Sequence, residues 1–327
     1  MKHRLFRLAK IDRGLEWGSV SDFGAAAQLI QLSWSANPDV TLNYDHRFLQ
    51  SCLQYPGTEP ALAPAIYHKQ ILVAFVIGMP RRVLLENQPR KLLLMTLFTV
   101  APEWKGRGLG VAVWAECLRR AQDVGYDGSI HFCAEGNISN HATLAGARAA
   151  GHEARHILTV RYLMRLLKSV PAYRALSEQP SDEHFAIAAR STMPVPLKRL
   201  WTRAEVEWQC RRRVDPICVT CETETSCGAL AGYRICSLNS GRTAYSLVDD
   251  TLWHHLNAKE RESLLELFLR LAAETAQVAV VPLLGYADMS PFLKYGFRRS
   301  PRILHAYLTM WDGSAVSEMQ GMYLDVL

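Results

Sequence analysis

The chain has 327 residues, 49% of them apolar and 21% charged, with no low-complexity tract, so it is long enough for two globular domains with separate cores. No apolar run reaches the length that spans a bilayer, so no membrane span is expected. With 37 basic and 31 acidic residues the net charge is +6, which suits anionic small molecules but is too dispersed for a dedicated nucleic-acid binder.

In chain order, a helix is predicted over residues 21–35, with Ser21 or Asp22 as its cap. A second covers 45–53 and ends at Tyr55-Pro56-Gly57. Strands follow at 65–68, 71–78 and 82–86; after the turn Glu86-Asn87-Gln88-Pro89 comes a long apolar strand at 92–100. A helix over 107–124 sets Leu109, Val113, Cys117, Ala121 and Val124 on one face, and Gly125 ends it. A strand at 129–134, an alanine-rich helix at 139–150 and a strand at 156–167 complete a mixed unit with a mostly antiparallel sheet.

The stretch 174–183 is the best linker candidate. The expected division is therefore a domain at 1–170, a linker at 171–190 and a domain at 191–327. The second half offers a helix at 197–212, strands at 217–223, 229–238 and 243–248, and a helix at 259–276. A strand at 278–283, a short helix at 290–295 and a strand at 303–310 follow. This order mirrors the first half, so an internal duplication in an α+β fold is expected.

The N-terminal Met1-Lys2-His3-Arg4-Leu5-Phe6-Arg7 has no apolar core or cleavage site after it, which makes the cytoplasm the expected location. Eight cysteines are then expected as free thiols. Cys210, Cys218, Cys221 and Cys227 contain one Cys-x-x-Cys pair inside a β-branched stretch, where alternation sends Cys218 and Cys221 to opposite faces. Without a second such pair no metal site is expected.

The most informative stretch is Lys105-Gly106-Arg107-Gly108-Leu109-Gly110, at the junction of the strand 92–100 and the helix after it. Glycines there let a diphosphate reach backbone amides, and the helix dipole and two cations favour negative charge. The nucleotide P-loop pattern is absent, and a dinucleotide fingerprint fails because Val111 stands where its third glycine belongs.

The pattern basic-x-x-Gly-x-Gly, preceded by Leu97-Phe98-Thr99-Val100-Ala101-Pro102, resembles the pyrophosphate loop of the Gcn5-related N-acetyltransferase superfamily. The resemblance extends to Asn140 with Gly151, and in the second half to Gly285 with Gly296 and Phe297. The junction Val248-Asp249-Asp250-Thr251-Leu252-Trp253 has no glycine loop, so two tandem domains of this fold are expected, the second degenerate.

The resemblance implies acetyl-CoA or another acyl-CoA as donor, held by Phe98, Thr99, Val100, Lys105, Gly106, Arg107, Gly108, Leu109, Gly110 and Asn140. It further implies an opening between two parallel strands, 92–100 and 129–134, with amides near Phe98 and Val100 facing pantetheine and the thioester oxygen. The acceptor is expected to be a small-molecule or peptide amine attacking directly. Family members place a tyrosine seven residues after the asparagine; here that position is Ala147. Glu135 is the first candidate base, while His131 reads as a core histidine. Arg81 and Arg82 read as a basic turn.

A second, looser resemblance is to protein N-myristoyltransferases, themselves tandem folds. It rests on Tyr44-Asp45-His46-Arg47-Phe48-Leu49, Tyr55-Pro56-Gly57 and the hairpin at 71–82. It implies that the terminal carboxylate, here on Leu327, acts as base. The alternative to an acyltransferase is a non-catalytic acyl-CoA-binding protein.

Overall fold

The computed structural model of the chain describes residues 14–35, 42–137, 139–167, 193–222, 226–238, 243–314 and 316–326. The predicted linker at 171–190 and the terminal Leu327 lie outside the described residues. The chain forms two compact units. One comprises Met1–Val83, Gln88–Thr159 and Leu304–Met319; the other comprises Leu84–Asn87, Val160–Ile303 and Gln320–Leu327.

The first unit opens with strand β1 (Leu15–Ser19) and helices α1 (Phe23–Trp34) and α2 (His46–Leu53). Asp22 and Asp45 cap the two helices, each carboxylate accepting a main-chain amide three residues on, from Ala25 and Phe48. Antiparallel strands β2 (Pro64–His68) and β3 (Ile71–Leu85) follow, then β4 (Gln88–Val100). Helix α3 (Leu109–Asp123) crosses to β5 (Gly128–Ala134), which pairs parallel with β4. Helix α4 (Ser139–Ala149) then leads to β6 (Ala154–Leu166). Helices α3 and α4 pack closely at Gly146, where an added Cβ would lie 2.7 Å from Trp114 Cδ1.

Two predicted strands at 71–78 and 82–86 are one strand, β3, running through Met79-Pro80-Arg81. Arg81 belongs to that strand and not to a solvated turn. It is fully buried, with its guanidinium 4.3 Å from the Tyr55 ring centroid and Nη1 donating to Pro80 O at 2.8 Å.

The second unit begins with β7 (Leu197–Arg199), helix α5 (Arg203–Glu207) and one π-helical turn at Trp208–Arg212. A single helix over 197–212 does not form, because Thr202 and Glu205 make a capping box that starts the helix at Arg203. Strands β8 (Pro216–Glu222), β9 (Cys227–Cys236) and β10 (Ala244–Leu252) form an antiparallel meander. Helix α6 (Ala258–Thr275) crosses to β11 (Val278–Leu283), parallel to β10, and buries Leu264, Leu265, Phe268, Leu269 and Ala272. Helix α7 (Ser290–Lys294), β12 (Arg298–Met310) and β13 (Met322–Tyr323) close the chain.

Both halves of the sequence thus run strand, helix, parallel strand, helix, strand. Residues 304–310 of β12 pair antiparallel with β5 within the first unit, and residues 161–166 of β6 pair antiparallel with β11 within the second. Among the described residues, no helix is long and apolar enough to cross a membrane.

Candidate functional site

The parallel pairing of β4 with β5 covers only Leu92–Met95 against residues 128–131. Beyond Met95 the two strands no longer pair with each other, and Leu97 takes φ +55°, a left-handed conformation. Past it, the amide of Ala101 donates to Val73 O of β3 at 2.8 Å. Alternation along a strand turns the N–H groups of Phe98 and Val100 the other way, toward the side that β5 has left. Val100 O, facing that same side, accepts the Ser33 hydroxyl at 2.6 Å.

The chain then makes a 3-10 turn at Pro102–Trp104 and enters the glycine stretch. Gly106 has φ +77° and Gly108 φ +85°, a region that side-chain-bearing residues enter only with strain. Gly108 is the residue before α3 and supplies no side-chain cap; the first turn of the helix carries no acid. The first α3 amide with a main-chain acceptor is that of Ala112, donating to Gly108 O at 3.0 Å. Orphan donors and the positive end of a helix dipole favour negative charge at such a terminus.

Gly110 has a different reason to be glycine. Its φ is ordinary, but a Cβ there would lie 2.7 Å from Phe98 Cζ and 3.4 Å from Val100 Cγ2, so it lets α3 lie directly on β4. At Gly106 a Cβ would meet nothing within 4 Å.

The two cations of the turn are both anchored. Lys105 Nζ donates to Ser33 O at 3.3 Å, tying the turn to the end of α1, and the Arg107 guanidinium lies 4.9 Å from the Trp104 ring centroid. Lys105, Gly106, Arg107 and Gly108 are exposed, whereas Leu109 is buried. Thr99 is also buried, and its hydroxyl is committed to Leu97 O at 3.0 Å.

Asn140, in the first turn of α4, donates from Nδ2 to the Tyr307 hydroxyl at 3.0 Å, and its Oδ1 is buried without a hydrogen-bond partner among the described residues. Tyr307 stacks on His131, which sits fully buried against Trp114. Glu135 follows the end of β5 with its side chain 61% exposed, and its Oε1 lies 3.8 Å from His305 Nε2. Ala147 is fully buried, so that helix position presents no titratable group. Tyr307, His305 and Ser33 escaped the sequence reading, because only the folded sheet brings these distant residues to β5 and β4.

The matching region of the second unit is built differently. Pairing of β10 with β11 ends at Leu247, and a bulge follows between Val248 and Asp250. There the Thr251 amide donates to the Tyr286 hydroxyl at 3.0 Å. The buried Asp249 is ion-paired with Arg213, and Asp250 accepts from the Tyr323 hydroxyl at 3.3 Å. Asn257 and Glu260 form a capping box that occupies the α6 N-terminus. The Glu260 amide, one of the donors at that terminus, is thereby taken by the Asn257 side chain at 3.0 Å.

Cys210 Sγ donates to Cys218 Sγ at 3.5 Å, and neither takes part in a disulfide. Among the described residues, no three His, Cys, Asp or Glu side chains cluster with metal-ligand spacing.

The chain shares its mixed α+β fold with structures of an N-myristoyltransferase and of a GCN5-related N-acetyltransferase. The chain is similar to Saccharomyces cerevisiae N-myristoyltransferase with bound myristoyl-CoA, with a TM-score of 0.70 and 14% identity over 96% of this chain and 86% of that one. It is similar to a GCN5-related N-acetyltransferase from Anabaena variabilis, with a TM-score of 0.54 and 10% identity over 90% and 72% of the two chains. An Enterococcus faecalis protein described as a probable N-acyltransferase gives a TM-score of 0.50 and 11% identity, with the same coverage. No protein-family model and no curated protein sequence matches the chain.

Proposed function

We propose that the protein is an acyl-CoA-dependent N-acyltransferase acting on cytoplasmic amines, with its donor site in the first unit. The observation that carries this reading is the glycine turn: left-handed Gly106 and Gly108 ahead of an uncapped helix, beside the point where β4 parts from β5. In this reading, amides of the turn and of Leu109 and Gly110 bind the CoA diphosphate, with Lys105 and Arg107 supplying charge. The amides of Phe98 and Val100 hold pantetheine and polarise the thioester carbonyl. The amine nitrogen attacks the carbonyl carbon, the carbon–sulfur bond breaks, the amine loses a proton and the CoA thiolate gains one. Glu135 is the proposed proton acceptor; the terminal carboxylate of Leu327 is the other candidate. The second domain is read as a degenerate copy that binds no donor, since its own side chains occupy the corresponding groups.

The fold shared with an N-myristoyltransferase that binds myristoyl-CoA supports an acyl-CoA donor, acetyl or longer, and a peptide or small-molecule amine as acceptor. Titration calorimetry with acyl-CoA tests this. Asp and Asn both tolerate left-handed backbone, so Gly106→Asn and Gly106→Asp differ chiefly in charge. The Asn variant is expected to bind within a few-fold of the parent and the Asp variant at least about tenfold more weakly. No binding by the parent protein overturns the reading, and equal affinity in the two variants moves the diphosphate elsewhere.

A non-catalytic acyl-CoA-binding protein is the second reading, favoured by the buried Ala147 where the family carries tyrosine. Thiol release from acyl-CoA with any of a panel of amines and N-terminal peptides rules it out.

A further inference from the structure

We propose that Ser33, in the last turn of α1, is a positioning residue of the acyl-CoA site: it fixes the thioester end of that site relative to the diphosphate end. The inference rests on the acyl-CoA reading of the first unit. Ser33 touches both ends of the stretch 100–105. Its hydroxyl donates to Val100 O at 2.6 Å, and its main-chain carbonyl accepts from Lys105 Nζ at 3.3 Å. The residue is 8% exposed, so the hydroxyl bond is sheltered from water. A helical serine has one proton to give and can return it to a carbonyl of its own helix. Ser35, which caps the same helix, does so, donating to Leu32 O at 3.2 Å, whereas Ser33 gives its proton to β4.

The peptide unit between Val100 and Ala101 is thereby held at both ends: its carbonyl takes the Ser33 hydroxyl, and its amide donates to Val73 O at 2.8 Å. This clamp fixes the chain where β4 passes into the 3-10 turn at Pro102–Trp104. The amides of Phe98 and Val100 come before it and the glycine turn comes after it. The Lys105 contact ties the turn to the same residue. The last turn of α1 has no basic residue of its own, so its terminal carbonyls, the negative end of the helix dipole, receive their cation from the glycine turn. The competing explanation is a buried hydroxyl that only satisfies a strand carbonyl. That role predicts a loss of stability in Ser33→Ala with the bound thioester unaffected.

The test uses acetyl-CoA and myristoyl-CoA, isotopically labelled at the thioester carbonyl, bound to the full-length protein and read by difference infrared spectroscopy. Hydrogen bonds that polarise the carbonyl lower its stretching frequency, so the parent band is expected below that of the free ligand. In Ser33→Ala the band should move back toward the free value. In Ser33→Cys, a weaker donor of similar shape, it should fall between, and in Ser33→Thr, which keeps the hydroxyl, it should match the parent. Ser35→Ala, which removes a hydroxyl that bonds within its own helix, should leave the band in place. Affinity for unacylated CoA, by calorimetry, should stay within about threefold of the parent in every variant. A parent-like band in Ser33→Ala, a Thr variant displaced as far as the Ala variant, an equal displacement in Ser35→Ala, or a CoA affinity outside that range overturns the proposal and leaves the acyl-CoA reading standing. A parent protein that binds neither thioester overturns both.

Discussion

At the residue scale, His131 is a titratable side chain held almost entirely out of water. Its ring is 1% exposed, stacks on Tyr307 at 5.3 Å and meets the Trp114 ring edge-on at 4.8 Å. Neither ring nitrogen has a hydrogen-bond partner among the described residues. Burial alone pushes its pKa down to about 3. The imidazole is therefore neutral in the folded protein where the unfolded chain, with a pKa of about 6.5, takes up a proton. Folding then binds fewer protons than unfolding, so the contribution to stability falls as the pH drops from about 6.5 toward 3. Over the interval from pH 7 to pH 5 the loss is about 2 kcal/mol. His131→Phe keeps the ring contacts and removes the titration. Its denaturation midpoint is expected to lose less between pH 7 and pH 5 than that of the parent. Parallel pH slopes for the two proteins would show that His131 is not the group responsible.

At the scale of elements, the contact between α3 and β4 governs the shape of the glycine turn. Gly110→Ala drives a methyl group against the Phe98 ring and is expected to destabilise the protein by about 1–3 kcal/mol, the usual cost of overpacking. Phe98→Leu added to Gly110→Ala should recover much of that, as measured by thermal melting; a double variant no better than Gly110→Ala would mean the methyl meets something other than Phe98. The turn was legible in the sequence because its glycines and cations are local, but the division of labour among the glycines was not. Gly106 and Gly108 answer to backbone angles and Gly110 to a neighbour on another element. Helices over 23–34 and 46–53 came through within two residues of expectation, because Asp22 and Asp45 mark their starts chemically. Failures fell where a local signal was overridden or overlooked. Pro80 and Arg81 looked like a strand end, yet the strand continues and Tyr55 shelters the buried guanidinium. Thr202 and Glu205 carried a capping box inside a stretch that periodicity alone read as a longer helix.

At the scale of the whole molecule, the repeated element order was readable from the sequence, since each half carries the same alternation of apolar strands and amphipathic helices. The membership of the last strand was not, because pairing between residues nearly 180 apart leaves no periodic trace. Residues 304–310 belong by contact to the first unit, where they supply the antiparallel neighbour of β5 from Leu304 opposite Ala134 to Met310 opposite Gly128. Trp311 continues the link, its amide donating to Asp127 O at 3.0 Å. The physical consequence is that residues 1–170 do not contain a complete sheet. Cut there, β5 presents a bare edge of main-chain donors and acceptors, and Ala306 and Leu308, both buried in the intact protein, are no longer present to cover it. A chain ending at residue 170 is therefore expected to aggregate or to melt well below the full-length protein. Appending residues 298–319 to it through a flexible linker should restore a soluble, cooperatively melting unit, because the missing ladder is returned in the same register. Equal solubility and equal melting behaviour of the two truncated proteins, followed by scanning calorimetry, would show that β5 does not need its partner from the end of the chain.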